Sequence, residues 1–334
     1  MARFVAAESL RKSAWIPYPS AMGTRRYACW CGLALLLLLL VGVQWAIGWP
    51  RLVAPWLTIP PLTLLLAALL TLVSYAVRAL RLYDYFLPDT RGGFTACLKL
   101  TLLHNVFNNL LPMRAGEASF PVLMRRYFAT SLTRSLAALL CFRVLDLSAL
   151  GILALASVGG HRRNAGLLAL LAVTGLALPW LLFRLQSAAW LMQLGRRLPA
   201  RWQQRLAPAR DGLPRTSTAY WRAWLWTLVN WLVKLVVFAG ILQLFAPMPA
   251  AAAFLGAIGG DLTSVLPVHG IAGAGTYEAG VVAALLPFGV PAGEALAAAV
   301  NLHLFMLGLS LSSGAFALLL RHDLPASAVL ENHG

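Results

Sequence analysis

The sequence predicts an all-α integral membrane protein: a polytopic helix bundle with two re-entrant or broken-helix regions. Three observations carry this. The 334 residues are 60% hydrophobic and only 11% charged, where a globular chain is about 45–50% apolar and about 25% charged. Mean hydropathy is +0.74. The apolar residues fall in runs near the length of about 20 that crosses a hydrocarbon core. These numbers exclude ordinary soluble, disordered, collagen-like and coiled-coil chains. The charge is lopsided, with 27 Lys+Arg against 11 Asp+Glu and a net +16. Basic residues beside apolar spans mark cytoplasmic loops and nearby anionic headgroups. No zinc finger, helix-turn-helix or aromatic-and-basic motif points to nucleic acid.

The elements follow in order. Residues 1–26 form a cytoplasmic N-terminal segment carrying Arg3, Arg11, Lys12, Arg25 and Arg26. No small-residue cleavage site follows the first apolar run, so the start reads as a retained span rather than a signal peptide. A single membrane domain is expected over 27–321, followed by a short tail at 322–334. Span one covers 27–49, with Trp45 and Trp49 near its far end, where interfacial aromatics belong. Span two covers 57–78 and returns inside near Arg78 and Arg81.

The stretch 95–131 is broken: its apolar helix, 97–111, is short for a crossing and ends at Pro112 and Gly116. Spans follow at 135–157 and 165–186. The connection 187–222 is basic and cytoplasmic, with Arg196, Arg197, Arg201, Arg205, Arg210, Arg215 and Arg222 against Asp211. Trp221, Trp224 and Trp226 mark re-entry into the span 223–246. A second broken region covers 250–290. Its first helix ends at Leu266-Pro267, and Gly270, Gly273 and Gly275 separate it from a short helix at 277–286. The last span, 293–320, stops at Arg321, His322 and Asp323. Six full crossings close the parity from a cytoplasmic start. Counting each broken region as two short crossings gives as many as ten.

The two broken regions echo one another. Asn109-Leu110-Leu111-Pro112-Met113-Arg114-Ala115-Gly116-Glu117 is matched by Ser264-Val265-Leu266-Pro267-Val268-His269, the glycines, and Thr276-Tyr277-Glu278. Each is a short helix, Leu-Pro, a basic-capable residue, glycine, and an acid opening the next helix. Paired breaks in two halves are the sequence-level pointer to a substrate site in transporters built from repeats, and one reading makes these an inverted repeat. Non-helical backbone at membrane depth must be buried in protein or face water. A helix start there offers free N–H groups to an anion, and Arg114 could clamp a phosphate. Glu117 and Glu278 could accept a proton, pair with Arg114, or cap their own helices.

Other polar groups lie inside the apolar segments. His104, Asn105, Asn108 and Asn109 cluster on one short helix, able to bind a headgroup or neighbouring helices. Arg143 and Asp146 are three apart and can pair on one face, as a structural lock or as part of a pathway. Lys234 is deep in its span and needs a partner; Asp261 is the nearest of the right type. Asn301 and His303 are weaker candidates, and a lone His303 suits packing. Ionisable groups in a membrane default to functional candidates. No metal or cofactor is expected. Cys29, Cys31, Cys97 and Cys141 read as packing residues, not as a disulfide framework or metal site. Hydrolase, zinc-protease, nucleotide-loop and dinucleotide motifs do not occur. The Gly270–Gly275 stretch lacks phosphate-loop spacing, so transport, if coupled, would draw on an ion gradient.

In these motifs the chain resembles the flippase-like family built on the membrane region of lysylphosphatidylglycerol synthase. The matching pieces are 108–117, Arg143-Val144-Leu145-Asp146-Leu147, and 270–278 with the following Gly289-Val290-Pro291-Ala292-Gly293-Glu294-Ala295. The resemblance covers about 25–320 and implies a multi-span bundle with re-entrant helices. It points to Pro112, Arg114, Gly116, Glu117, Arg143, Asp146, Gly273, Gly275 and Glu278 as matching family positions. Where the family often has an arginine before the second acid, this chain has Tyr277. Relatives move an aminoacylated phospholipid between leaflets, or serve hopanoid or polyprenyl-linked glycan processes. The soluble synthase domain of fused relatives has no counterpart in these residues, so aminoacyl transfer is not expected.

The leading expectation is translocation of a phospholipid or other polar-headed lipid across a bacterial inner membrane, with membrane lipid as the partner. Alternatives are a membrane enzyme or accessory factor beside a lipid-biosynthesis enzyme, a small-solute transporter, or a scaffold.

Overall fold

In a computed structural model, the structure describes residues 41, 44–45, 48–87, 89–162, 165–186, 199–265 and 271–320. By compactness the chain falls into two units, Met1–Val53 and Ala54–Gly334. The first unit is described at 41, 44–45 and 48–53 alone, where the chain is helical except at Gly48. Span one of the sequence reading therefore lies largely outside the described residues, as do Cys29 and Cys31.

The second unit is all-α as described. Its elements are α1 (Trp49–Thr58, which enters it from the first unit), α2 (Pro61–Tyr85), α3 (Phe94–Leu110), a 3-10 turn (Pro112–Ala118), α4 (Ser119–Phe128), α5 (Leu132–Arg162) and α6 (Ala165–Gln186). Then come α7 (Ala200–Asp211), α8 (Ser217–Phe245), α9 (Ala250–Val265), a 3-10 turn (Ile271–Gly273), α10 (Thr276–Leu285) and α11 (Ala292–Leu319). Among the described residues four helices, within α2, α5, α8 and α11, are long and apolar enough to cross a membrane. The protein is a multi-pass membrane helix bundle.

Local chemistry sets the helix ends. Pro61 occupies the first turn of α2, where its missing N–H costs nothing. Thr216 accepts from the Ala219 N–H at 3.2 Å and caps α8. That cap places the start of α8 within the stretch read as a basic connection, so Arg222 is helical and pairs with Asp84 at 2.7 Å. Within the same stretch, the described residues 200–211 are helical rather than open loop.

α2 shows how the bundle inverts a soluble fold. Leu62, Leu65, Leu66, Leu69 and Leu70 are exposed, whereas Thr71, Ser74 and Arg81 are buried. In hydrocarbon the apolar face belongs outside and polar groups need partners within. α2 also runs on to Tyr85, past the expected end at 78, so Arg78 and Arg81 are not flanking charges but lie on the helix itself.

Four apolar clusters form among the described residues, two of them large. One joins α8, α9, α10 and α11 around Leu235, Phe238, Leu242, Ala257, Val281 and Leu302. The other joins α2, α3, α4 and α5 around Phe86, Leu100, Met124 and Phe142. α9 and α10 cross at Gly259 and Gly280, where a Cβ on Gly259 would stand 2.3 Å from the Gly280 carbonyl oxygen. The first 3-10 turn folds back just as closely onto α3, with a Cβ on Gly116 placed 2.3 Å from the Phe107 carbonyl oxygen. The 3-10 turns at Pro112–Ala118 and Ile271–Gly273 pack against each other, and a third, Leu286–Phe288, follows α10. The broken regions, more than a hundred residues apart in sequence, are thus neighbours.

Candidate functional site

A polar cleft opens where these elements converge. α2 contributes Tyr75 and Arg78, and α3 contributes His104, Asn105, Asn108 and Asn109. α5 supplies Arg143, α8 supplies Trp231 and Lys234, and α9 supplies Asp261. The second 3-10 turn brings Ala272, α10 brings Tyr277, and α11 brings Met306. The cavity volume is about 40 Å³, room for about three water molecules.

A chain of charges reaches the cleft through Arg143. The Arg81 guanidinium donates to Asp146 Oδ1 at 2.8 Å and to Thr227 Oγ1 at 2.8 Å. Arg143 donates to the other Asp146 oxygen at 3.0 Å and forks onto Glu117 at 2.5 and 3.2 Å. Trp231 Nε1 adds a bond to Asp146 Oδ1 at 3.1 Å. Arg81 is 5% exposed and Asp146 2%, and the Arg81 guanidinium lies 4.4 Å from the Phe142 ring centre. An unpaired ion in such a place would cost several kcal/mol or more. The alternation of signs through α2, α5 and the first 3-10 turn removes that cost, and α8 adds neutral donors and acceptors. Glu117, which the sequence could pair with Arg114 or its own helix start, takes Arg143. Arg114 lies on the first 3-10 turn with Pro112, but the side chains of both are outside the described residues.

A second pair spans α8 and α9. Lys234 Nζ donates to Asp261 Oδ1 at 2.8 Å and sits 4.9 Å from the ring centres of both Trp231 and Phe238. A third links α11 to the second break. His303 Nδ1 lies 2.6 Å from Glu278 Oε1, and Nε2 lies 2.8 Å from the Ala272 carbonyl oxygen. Glu278 also accepts the Gly275 N–H at 2.8 Å, capping α10. His303 therefore does more than pack: it ties Glu278 to the turn. That turn needs unusual backbone, with Ala272, Gly273 and Gly275 at φ of 51°, 79° and 81°. Pro267 and Gly270 lie outside the described residues.

The polar cluster on α3 is divided among neighbours. Asn105 Oδ1 accepts from Arg78 at 2.7 Å, His104 meets Ser119 at 2.9 Å, and Asn109 donates to Ser310 at 3.1 Å. Among the candidate residues, His104, Asn105, Asn108, Asn109, Arg143, Lys234 and Asp261 line the cleft, while Glu117, Asp146 and Glu278 bond to residues at or beside it. Arg78, Arg81, Tyr75, Trp231 and Tyr277 were not singled out from sequence. A signal for the first three existed: Thr71, Ser74, Tyr75, Arg78 and Arg81 recur at helical spacing along one stripe.

Among the described residues no three His, Cys, Asp or Glu side chains gather as a metal would require. Cys97 and Cys141 are free thiols.

These features define a class: a multi-pass membrane protein whose bundle encloses paired charges and a polar cleft. Residues 29–314 match the family model described as the lysylphosphatidylglycerol synthase TM region. The chain belongs to that family. Among curated proteins, none matches it significantly.

Proposed function

We propose that the protein translocates a phospholipid or other polar-headed lipid between leaflets. The headgroup passes through the polar cleft while the acyl chains stay in the bilayer. The observation that carries this reading is the cleft itself, at the meeting of the two broken regions inside a bundle whose outer face is leucine. In this reading the broken regions act as re-entrant hairpins related as an inverted repeat, within one membrane domain over 27–321 whose N-terminus is cytoplasmic. A bacterial inner membrane is the setting, and the candidate lipids include hopanoid- and polyprenyl-linked ones.

The cleft is too small for a whole headgroup, so passage requires it to widen. The 3-10 turns at Pro112–Ala118 and Ile271–Gly273 are the natural hinges, because their backbone is held by few ladder bonds. Arg114, His104, Asn105, Asn108, Asn109, Arg143, Lys234 and Asp261 would touch the headgroup. Glu117, Asp146 and Glu278 would hold the contacting residues in place.

Reconstitution tests this. Proteoliposomes carrying the full chain should move labelled lipid between leaflets, and Arg114→Ala should stop the movement without unfolding the protein. Lack of movement across a broad panel of lipids, with the fold intact, would sink the proposal. A mass-changed lipid product would indicate an enzyme instead.

A further inference from the structure

The polar groups lining the cleft are unevenly matched. Arg78 has a neutral partner, Asn105 Oδ1, and no carboxylate among the described residues. Because arginine cannot accept a hydrogen bond, this contact fixes the Asn105 amide with its NH₂ group turned away. That Nδ2 has no partner among the described residues, and neither has the Tyr277 hydroxyl. Asn105 is 4% exposed and Tyr277 0%, so water outside the protein does not satisfy them. Lys234 uses one of its three N–H groups on Asp261. Arg143, also on the lining, is already matched by Glu117 and Asp146. Orphaned buried donors are costly and uncommon, and here they share one cleft with a guanidinium that has no direct ion pair among the described residues.

We infer that Arg78, Asn105, Tyr277 and Lys234 form a subsite for the oxygens of a phosphate group. A phosphate diester or monoester offers several acceptors with negative charge, which is what surplus donors and such a guanidinium require. The cavity of about 40 Å³ holds about three waters, close to the bulk of one phosphate group. Asn108 Oδ1, an acceptor without a partner among the described residues, suits a hydroxyl beside that phosphate. The subsite deepens the translocation reading and rests on it only for the source of the phosphate.

Tyr277→Phe is the discriminating variant, because it removes one oxygen that has no hydrogen-bond partner among the described residues. Full-length protein in a phosphate-free maltoside is titrated calorimetrically with inorganic phosphate, with dihexanoylphosphatidylglycerol, and with a diglucosyl diacylglycerol of the same chain length. Binding of the phospholipid but not the glycolipid is expected, weakened about tenfold by Tyr277→Phe and about a hundredfold by Arg78→Gln. The unfolding midpoint of Tyr277→Phe should stay level or rise. Equal binding of inorganic phosphate would support the subsite and assign it to a free anion. Equal binding of the glycolipid, or phospholipid binding that Tyr277→Phe leaves unchanged, would overturn it. Phosphate binding with these variant effects, in a protein that moves no lipid, would overturn the translocation reading and leave the subsite standing.

Discussion

Asp146 receives Arg81 at 2.8 Å in a place where neither side chain is more than 5% exposed. Three elements depend on that carboxylate, since Arg143 and Trp231 bond to it as well. Asp146→Asn would keep the shape and remove the charge, leaving Arg81 without its counterion. We expect a loss of about 3–5 kcal/mol, read as a lowered unfolding midpoint in a detergent titration. A midpoint equal to the parent's would show that the carboxylate is not the hub of this network.

The Lys234–Asp261 pair allows a different test, because both members can be replaced by apolar side chains at once. Lys234→Met alone should destabilise by about 3–5 kcal/mol, and Asp261→Asn alone should act in the same direction. The double variant Lys234→Met with Asp261→Leu should recover most of the loss, because apolar replacements of buried pairs are often neutral. Thermal unfolding of the three variants measures the coupling. Strictly additive losses would mean that the two charges do not depend on one another.

Gly259 meets the Gly280 carbonyl oxygen so closely that a methyl group cannot be admitted without parting α9 from α10. Gly259→Ala should cost about 1–3 kcal/mol and Gly259→Leu should prevent accumulation of folded protein. By contrast Gly240→Ala, at a position with open space, should be tolerated. Fluorescence-detected size exclusion of the three variants compares them directly.

Ala272 adopts φ 51°, a left-handed conformation unfavourable for any side chain. Ala272→Gly should stabilise the protein by about 1 kcal/mol, since its carbonyl can still accept from His303. A fall in the unfolding midpoint would show that the methyl group packs more usefully than its backbone strain costs.

Much of the architecture was legible because membrane spans announce themselves by length and apolarity. The helix at Ala165–Gln186 and the last span at Ala292–Leu319 fall within a residue or so of where hydropathy puts them. Arg78 and Arg81 were harder. A basic residue after some twenty apolar ones looks like an interfacial flank, and only the continued polar stripe along α2 says otherwise. Pairing was the least legible. Lys234 and Asp261 stood out singly, but sequence carries no distance between α8 and α9. Glu117 had a local candidate partner three residues away, and a tertiary one twenty-six residues away holds it.

The ion pairs also constrain how this chain can vary. Four pairs join side chains from different elements, three by opposite charges, 81 with 146, 117 with 143 and 234 with 261, and one by a hydrogen bond, 278 with 303. A change at one member alone strands a charge in the bundle, whereas the outward leucines of α2 can be exchanged one at a time. Across a lineage the leucines should drift independently, and the four pairs should be kept or replaced together. Co-substitution at those positions would be the historical trace of a physical requirement for neutrality.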